Sequence, residues 1–317
     1  MFKNAFFLLL FVVSTTAIFG QIKNDTIALS AVTLKGSPIK NLLQNTAASV
    51  SVITAADINK SDGIILTSVL NKIPGLTMQQ GALNTNRITI RGIGARAQYG
   101  TNKIKAYFDG IPLTTGEGET TIDAIDLASI EKIEIIKGPN STSFGSGLGG
   151  VIQLFSRETP LLASFGKATV TFGSFGLLQQ RLSAGYDDSK TNIFSSYTDL
   201  QTDGFRANSS YNRKSLNLHG KQKMGSNGIL SFLGTFTRLK AFIPSSINET
   251  DLKNSPEKAA STWAAAQGYE SYDQSLFGLG YDHRLKKKWS MQTSVFSNFK
   301  DAYEPRPFDI LKDKTSS

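Results

Sequence analysis

Residues able to do bond-making chemistry are few and scattered. The chain has no cysteine and only two histidines, His219 and His283, each in a β-patterned segment. Thiolate metal sites, disulfides and cysteine nucleophiles are thereby excluded. A lone histidine on a strand reads as a polar side chain rather than a zinc ligand or triad base. Gly145, Gly147 and Gly150 satisfy G-x-G-x-x-G, but that fingerprint seats pyrophosphate on the N-terminus of a helix that comes directly after it. The next residues here are VIQLF, a strand pattern without a Walker lysine, so nucleotide binding is rejected. No grouping of acid, base and nucleophile emerges, and no metal set. The sequence reads as non-enzymatic, and its chemistry as recognition.

Charge narrows the partners. The formal net charge is +9, and from residue 161 onward 20 basic residues stand against 14 acidic ones. Such an excess attracts anions such as lipopolysaccharide phosphates or a small anionic ligand. It is not gathered into a stripe and no nucleic-acid-binding motif accompanies it, so no nucleic-acid partner is expected.

Residues 1–20 carry Lys3, the apolar run AFFLLLFVV and then STTAIFG. A charged start, an apolar stretch and a small residue at the cut describe a secretory signal peptide, cleaved after Gly20. No other run approaches the ~18 apolar residues of a membrane helix. Residues 21–46 are polar apart from a short β-favouring patch, and read as a tether.

The organising stretch is residues 47–160. Short β-type runs (49–54, 87–93, 104–108, 130–136 and 150–155) alternate with Gly-, Asn- and Thr-rich connections. One helical segment, residues 66–73, is expected to stop at Pro74-Gly75. Asp109-Gly110 marks a tight turn, where Gly takes the positive φ without steric cost. Arg91 falls inside the β pattern, where a charge is costly unless paired or hydrated.

After Pro160 the texture becomes alternating segments of about ten residues, the mark of transmembrane β-strands. Val170 and Phe172 alternate with Thr169 and Thr171; Leu216 and Leu218 with Asn217 and His219; Phe277 and Leu279 with Gly278 and Gly280; Trp289 and Met291 with Ser290 and Gln292. The apolar set is expected to face lipid and the polar set a lumen. A soluble β-sandwich shares this period. Connection lengths favour the barrel: DDSKT, GSNG and KKK are short, whereas QTDGFRANSSYN and residues 244–273 are long.

Four segments in order, VLNKIPGL, ITIRGIG, YFDGIPL and IEKIEIIKGPNSTSFGSGLGGVIQL, resemble the plug domain of TonB-dependent outer-membrane receptors. The implied fold is mostly β: a small α+β plug over residues 47–160, then the first seven or so antiparallel strands of an incomplete transmembrane β-barrel over 161–317. Barrels of such transporters have about 22 strands, so the resemblance implies an N-terminal fragment. It also implies that the Gly-rich turn packs against the barrel wall.

The resemblance further implies an energy-coupled importer in the outer membrane of a Gram-negative bacterium, surrounded by lipid and lipopolysaccharide. Its partner is TonB with its inner-membrane energising complex. The tether patch Thr26, Ile27, Ala28, Leu29, Ser30, Ala31, Val32, Thr33 and Leu34 corresponds to the TonB box, which adds to TonB as a β-strand. Loops 94–103 and 114–121 correspond to plug apices, making Arg96, Gln98, Tyr99, Thr114, Thr115 and Glu117 candidate ligand contacts. Arg206, in TDGFRANSS, is a candidate from an outer loop. Arg91 and Lys137 correspond to two arginines that hold the plug to wall carboxylates, although lysine lacks the bidentate fork. No resident cofactor or metal is implied, since iron would travel in the chelate. The expected ligand is a ferric siderophore or iron-citrate-type chelate. Alternatives are vitamin B12 or a sugar, or a secreted β-rich binding or adhesion protein without energy coupling.

Overall fold

The computed structural model describes residues 48–82, 85–96, 101–115, 118–122, 125–139, 144–145, 147–286 and 289–307. The signal segment, the 26–34 patch, Gln98, Tyr99 and Glu117 lie outside these residues.

The first strand, β1 (Ser49–Thr54), runs directly into a short helix, α1 (Ala55–Asn59). The sequence predicts only one helix in this region. The second is written in T-x-x-D: the Asp57 N–H donates to Thr54 Oγ1, and Asp57 Oδ2 accepts from the Thr54 N–H at 3.0 Å, a reciprocal capping box. The expected helix is α2 (Leu66–Leu70), which buries Leu66, Val69 and Leu70. It ends three residues before the predicted stop. The Asn71 amide turns away to the next strand, accepting from Met78 N at 2.6 Å and donating to Met78 O at 3.0 Å.

That strand, β2 (Leu76–Ala82), pairs with β3 (Thr85–Ile90) as a separate two-stranded ribbon. β4 (Ile104–Phe108), β5 (Ile111–Pro112), β6 (Ile130–Lys137) and β7 (Gly150–Ser156) come next. With β1 they form a five-stranded sheet in the order β1-β6-β7-β4-β5, mixed because β4 and β7 are parallel. A 3-10 turn at Leu127–Ser129, N-capped by Asp126, leads into β6. Val69, Leu70, Ile104, Phe108, Ile133, Ile135 and Ile152 are fully buried between sheet, helices and ribbon. This is an ordinary water-soluble core, apolar inside.

Among the described residues, the Gly-rich turn before β7 packs closely on this same domain. A Cβ at Gly149 would meet Ile104 Cγ1 at 2.9 Å, and one at Gly150 (φ +136°) would collide with the Ile136 carbonyl oxygen. The tight approach therefore serves the plug's own packing, because the turn must pass between β4 and β6.

Seven strands then form one antiparallel sheet in sequence order: β8 (Ser164–Phe172), β9 (Leu178–Asp187), β10 (Thr191–Thr202), β11 (Tyr211–Met224), β12 (Gly228–Phe242), β13 (Tyr269–Lys286) and β14 (Trp289–Tyr303). Connections 188–190 and 225–227 are tight; 203–210 and 243–268 are long, and the last carries α3 (Glu249–Asn254) and α4 (Ser261–Ala266). The long loop closes five residues earlier than predicted, because residues 269–273 already pair with β12.

Polarity across this sheet is inverted. Phe172, Leu182, Leu216, Leu218, Phe277, Leu279, Val295 and Phe299 lie on the exposed face. Gln179, Ser196, Thr198, Arg213, Ser215, Asn217, His219, Thr235, Thr237 and Gln274 lie on the buried face. The expected lipid and lumen sets fall on opposite faces, as the alternation predicts.

Candidate functional site

The plug sits on the polar face of the sheet, and its contacts run from one end of the strands to the other. Near the tight turns, the Thr159 N–H donates to Asn192 Oδ1 at 3.0 Å and its hydroxyl to Ile193 O at 2.7 Å. Glu158 is bonded to Lys221, and Asp109 Oδ2 lies 3.7 Å from His219 Nε2. Asp109 takes a left-handed φ of 47° in the Asp-Gly turn, and its Oδ1 accepts the Ser156 N–H at 3.0 Å. The turn read from sequence therefore also carries a carboxylate to the wall.

Toward the long loops, Asp126 meets three successive wall strands. Its Oδ2 accepts the Thr198 hydroxyl at 2.5 Å, and its Oδ1 lies 3.8 Å from Arg181 Nη2 and 3.7 Å from Arg213 Nη2. Arg181 also donates to Gly63 O at 3.2 Å, ahead of α2. A cleft opens beside these groups, between Ile64–Thr67, Met78 and Gln80 of the plug and Leu200, Tyr211 and Arg213 of the wall. Asp126 is not among the candidates that the sequence offers. Its only signal there is a lone carboxylate in IDLASI ahead of an apolar strand, which marks an N-cap as readily as a clamp.

Arg91 lies outside the strand expected to hold it. β3 ends at Ile90, and Arg91-Gly92 form a two-residue turn with φ of 51° and 81°. Ile90 and Ile93 exchange both backbone bonds, at 3.1 and 2.9 Å. Arg91 is exposed at this turn, so the cost of a buried charge does not arise. Its N–H donates to Gly75 O at 2.7 Å, and Lys137 Nζ donates to Pro74 O at 2.7 Å. The two cations thus share one corner of the plug, beside Gly75 and Gly138. Partial burial, and then the charge of Arg91, hold the Lys137 ammonium pKa below the usual lysine value. Among the described residues, neither cation forms an ion pair with a carboxylate.

The two candidate apex loops are tied together at their bases. The Ile88 N–H donates to Thr101 Oγ1 at 3.1 Å, and the Thr120 N–H to Thr101 O at 2.7 Å. Thr114 and Thr120 share a hydroxyl contact of 2.9 Å, and the Thr115 N–H donates to Glu119 O at 2.8 Å. Thr114 and Thr115 are half-buried in this base, whereas Arg96 is exposed. Arg206 is already engaged: its guanidinium donates to Lys258 O at 2.9 Å and Ser245 O at 2.7 Å. As placed it braces loop 203–210 against loop 243–268.

A sheet with a lipid-compatible outer face and a polar inner face covered by a separate apolar-cored domain is the wall of a plugged transmembrane β-barrel. The family model for the TonB-dependent receptor plug domain matches residues 42–151. An iron-regulated outer membrane virulence protein of Vibrio cholerae is 33% identical over 126 residues, 37% of this chain and 18% of that protein. A vitamin B12 transporter of Vibrio vulnificus is 26% identical over 193 residues, 58% of this chain and 29% of the transporter. The ferric yersiniabactin uptake receptor of Yersinia pestis superposes with a TM-score of 0.68 at 16% identity. That match covers 82% of this chain and 42% of the receptor. The chain thus spans less than half the length of the relatives it matches. The second and third of these are named as a transporter and a receptor, and none of the three as an enzyme.

Proposed function

We propose that the protein is a TonB-dependent outer-membrane receptor that takes up a ferric chelate, of the siderophore or iron-citrate type. The reading is carried by one observation: a plug-family domain seated on the polar face of a sheet whose other face is apolar. Ligand lands on the plug loops around Arg96, Gln98, Tyr99, Thr114, Thr115 and Glu117. Arg206 joins that set from the outer loop, where its guanidinium also ties loop 203–210 to loop 243–268. The patch Thr26–Leu34 then adds as a strand to TonB, where backbone hydrogen bonds supply affinity. Pulling on it remodels the plug. Arg91 and Lys137 hold their corner of the plug to carboxylates of the wall. The chelate, with its iron, is cargo.

The iron assignment is supported by the modest basic excess and by the iron-related names of two relatives. The vitamin B12 transporter's longer match makes cobalamin the second reading. The test is uptake of radiolabelled ferric citrate, a ferric siderophore panel and cobalamin in cells with and without residues 26–34, surface binding being scored separately. Retained binding with abolished iron uptake is the expected result. Uptake that survives the deletion overturns energy coupling through this patch, and binding of cobalamin alone replaces the ligand. Surface binding with no uptake of any of these ligands, whether or not residues 26–34 are present, leaves an uncoupled binding or adhesion protein.

A further inference from the structure

The contact at Asp126 does more than seat the plug. The side chain is fully buried, and it touches β9 through Arg181, β10 through Thr198 and β11 through Arg213. Two other plug carboxylates reach the wall at β11: Asp109 at His219, and Glu158 at Lys221. Asp126 is also rigidly joined to the plug. Its Oδ1 accepts the Ala128 N–H at 3.3 Å, and its carbonyl accepts the Ser129 N–H at 3.0 Å and the Ser129 hydroxyl at 2.7 Å. Those residues open β6, which pairs with both β1 and β7. Asp126 therefore cannot leave the wall without β6, nor β6 shift far without Asp126.

The surrounding charges make the separation costly. Arg157, whose N–H donates to Ser129 O at 2.7 Å, is crowded by burial and by Arg181, and relieved by Glu131 and Asp126. A third guanidinium thus lies within the field of the same carboxylate. Drawing Asp126 away takes its carboxylate from the Arg181 and Arg213 guanidiniums of the wall, which is the costly way to break a buried pair.

We propose that Asp126 is the latch of the shut state, a positioning residue that pins the plug across three consecutive wall strands and must be released whenever the plug gives way. The inference rests on the receptor reading for its purpose, but its test does not need ligand or TonB. The polarity is the reverse of the Arg91 and Lys137 expectation: here the carboxylate is on the plug and the arginines are on the wall.

Residues 1–317 contain no cysteine, so Ser196→Cys serves as the reporter once any cysteine elsewhere in the intact protein is replaced by serine. Ser196 is buried on the inner face of β10, two residues from Thr198. In the intact protein in its outer membrane, without ligand and without TonB, labelling by a membrane-impermeant maleimide reports exposure of the wall behind the plug. Asp126→Asn and Asp126→Ala are expected to raise the labelling rate about tenfold or more, and Asp126→Glu to return it to near the parent rate. Asp109→Asn, which perturbs the contact with His219, is expected to leave the rate within about twofold. Heat-modifiable gel mobility confirms that each variant is assembled, and the isosteric Asn variant carries the test if Ala fails to assemble. Rates within twofold of the parent for assembled Asp126→Asn overturn the latch. So does an equal rise in Asp109→Asn, since the effect is then general loosening. Faster labelling in the Asp126 variants with no energy-dependent uptake by the wild type upholds the latch and sinks the transport reading instead.

Discussion

The plug and the wall obey the same hydrophobic rule in opposite senses. In the plug, Phe108, Ile133 and Ile152 are sealed inside, and the loops carry the polar groups. In the wall, Leu216, Leu279 and Val295 face outward, while Thr198, Asn217 and Thr237 are covered. Each domain is turned toward its solvent: the plug was built for water, and the wall for lipid on one side and a polar partner on the other. The plug's polar surface is what makes the wall's inner face tolerable, because buried polar groups require hydrogen-bond partners. Asp126 to Thr198, and Thr159 to Asn192, are where the two surfaces satisfy one another.

Truncation in the plug core should have the largest effect. Phe108 is fully buried at the end of β4 among Ile and Leu side chains. Phe108→Ala should destabilise the plug by about 3–5 kcal/mol through lost burial and the cavity left behind. Denaturant titration of the intact protein in detergent, followed by protease sensitivity of the plug, measures it. A loss under about 1 kcal/mol would show that the plug core is less tightly packed than its burial indicates.

Charge on the outer wall comes next. Leu279 stands midway along β13 on the exposed face. In water an exposed leucine replaced by arginine would be nearly neutral. In a bilayer Leu279→Arg should cost about 2–4 kcal/mol near the midplane. Folding into lipid vesicles, with the unfolding midpoint compared against Leu252→Arg in the outer loop, separates the two solvents. Equal stability of the two variants would remove lipid from the description of this face.

What could be read from the sequence divides along the same line. Alternation in β8 to β14 shows both faces of the wall, since period-two patterning depends only on nearest neighbours. The plug strands are legible where β-branched runs are dense, as in IEKIEIIK. β2 escapes such a reading because LTMQQGA has no such run and is defined by its pairing with β3. α1 escapes it too, although its capping box is present. Arg91 is misplaced by pattern alone because a positive-φ turn at a non-glycine residue leaves little trace in composition. The polar inward positions of Arg181 and His219 are legible, but their partners are not. Thr198 is 72 residues from Asp126, and periodicity assigns a face without naming what lies opposite.

The smallest effect belongs to α1, and it tests whether the plug responds to bulk water as the comparison requires. Thr54 and Asp57 cap one another at the exposed junction of β1 and α1. The Thr54 hydroxyl, and then its backbone N–H, hold the Asp57 carboxyl below its ordinary value of 3.8. Because the folded value is the lower one, the contribution is complete above the unfolded pKa and is lost as pH falls through the folded value. α1 should therefore loosen only below about pH 4, and Thr54→Ala should weaken it by about 1 kcal/mol at neutral pH. Hydrogen exchange at the Ile58 and Asn59 amides, compared at about pH 6 and about pH 3 in the intact protein, reads both. The variant should exchange faster at the higher pH and show a smaller change on acidification than the parent. An undiminished acid response in Thr54→Ala would mean that Asp57 is held by something other than its cap. The plug surface would then be organised by contacts with the wall rather than by its own local chemistry.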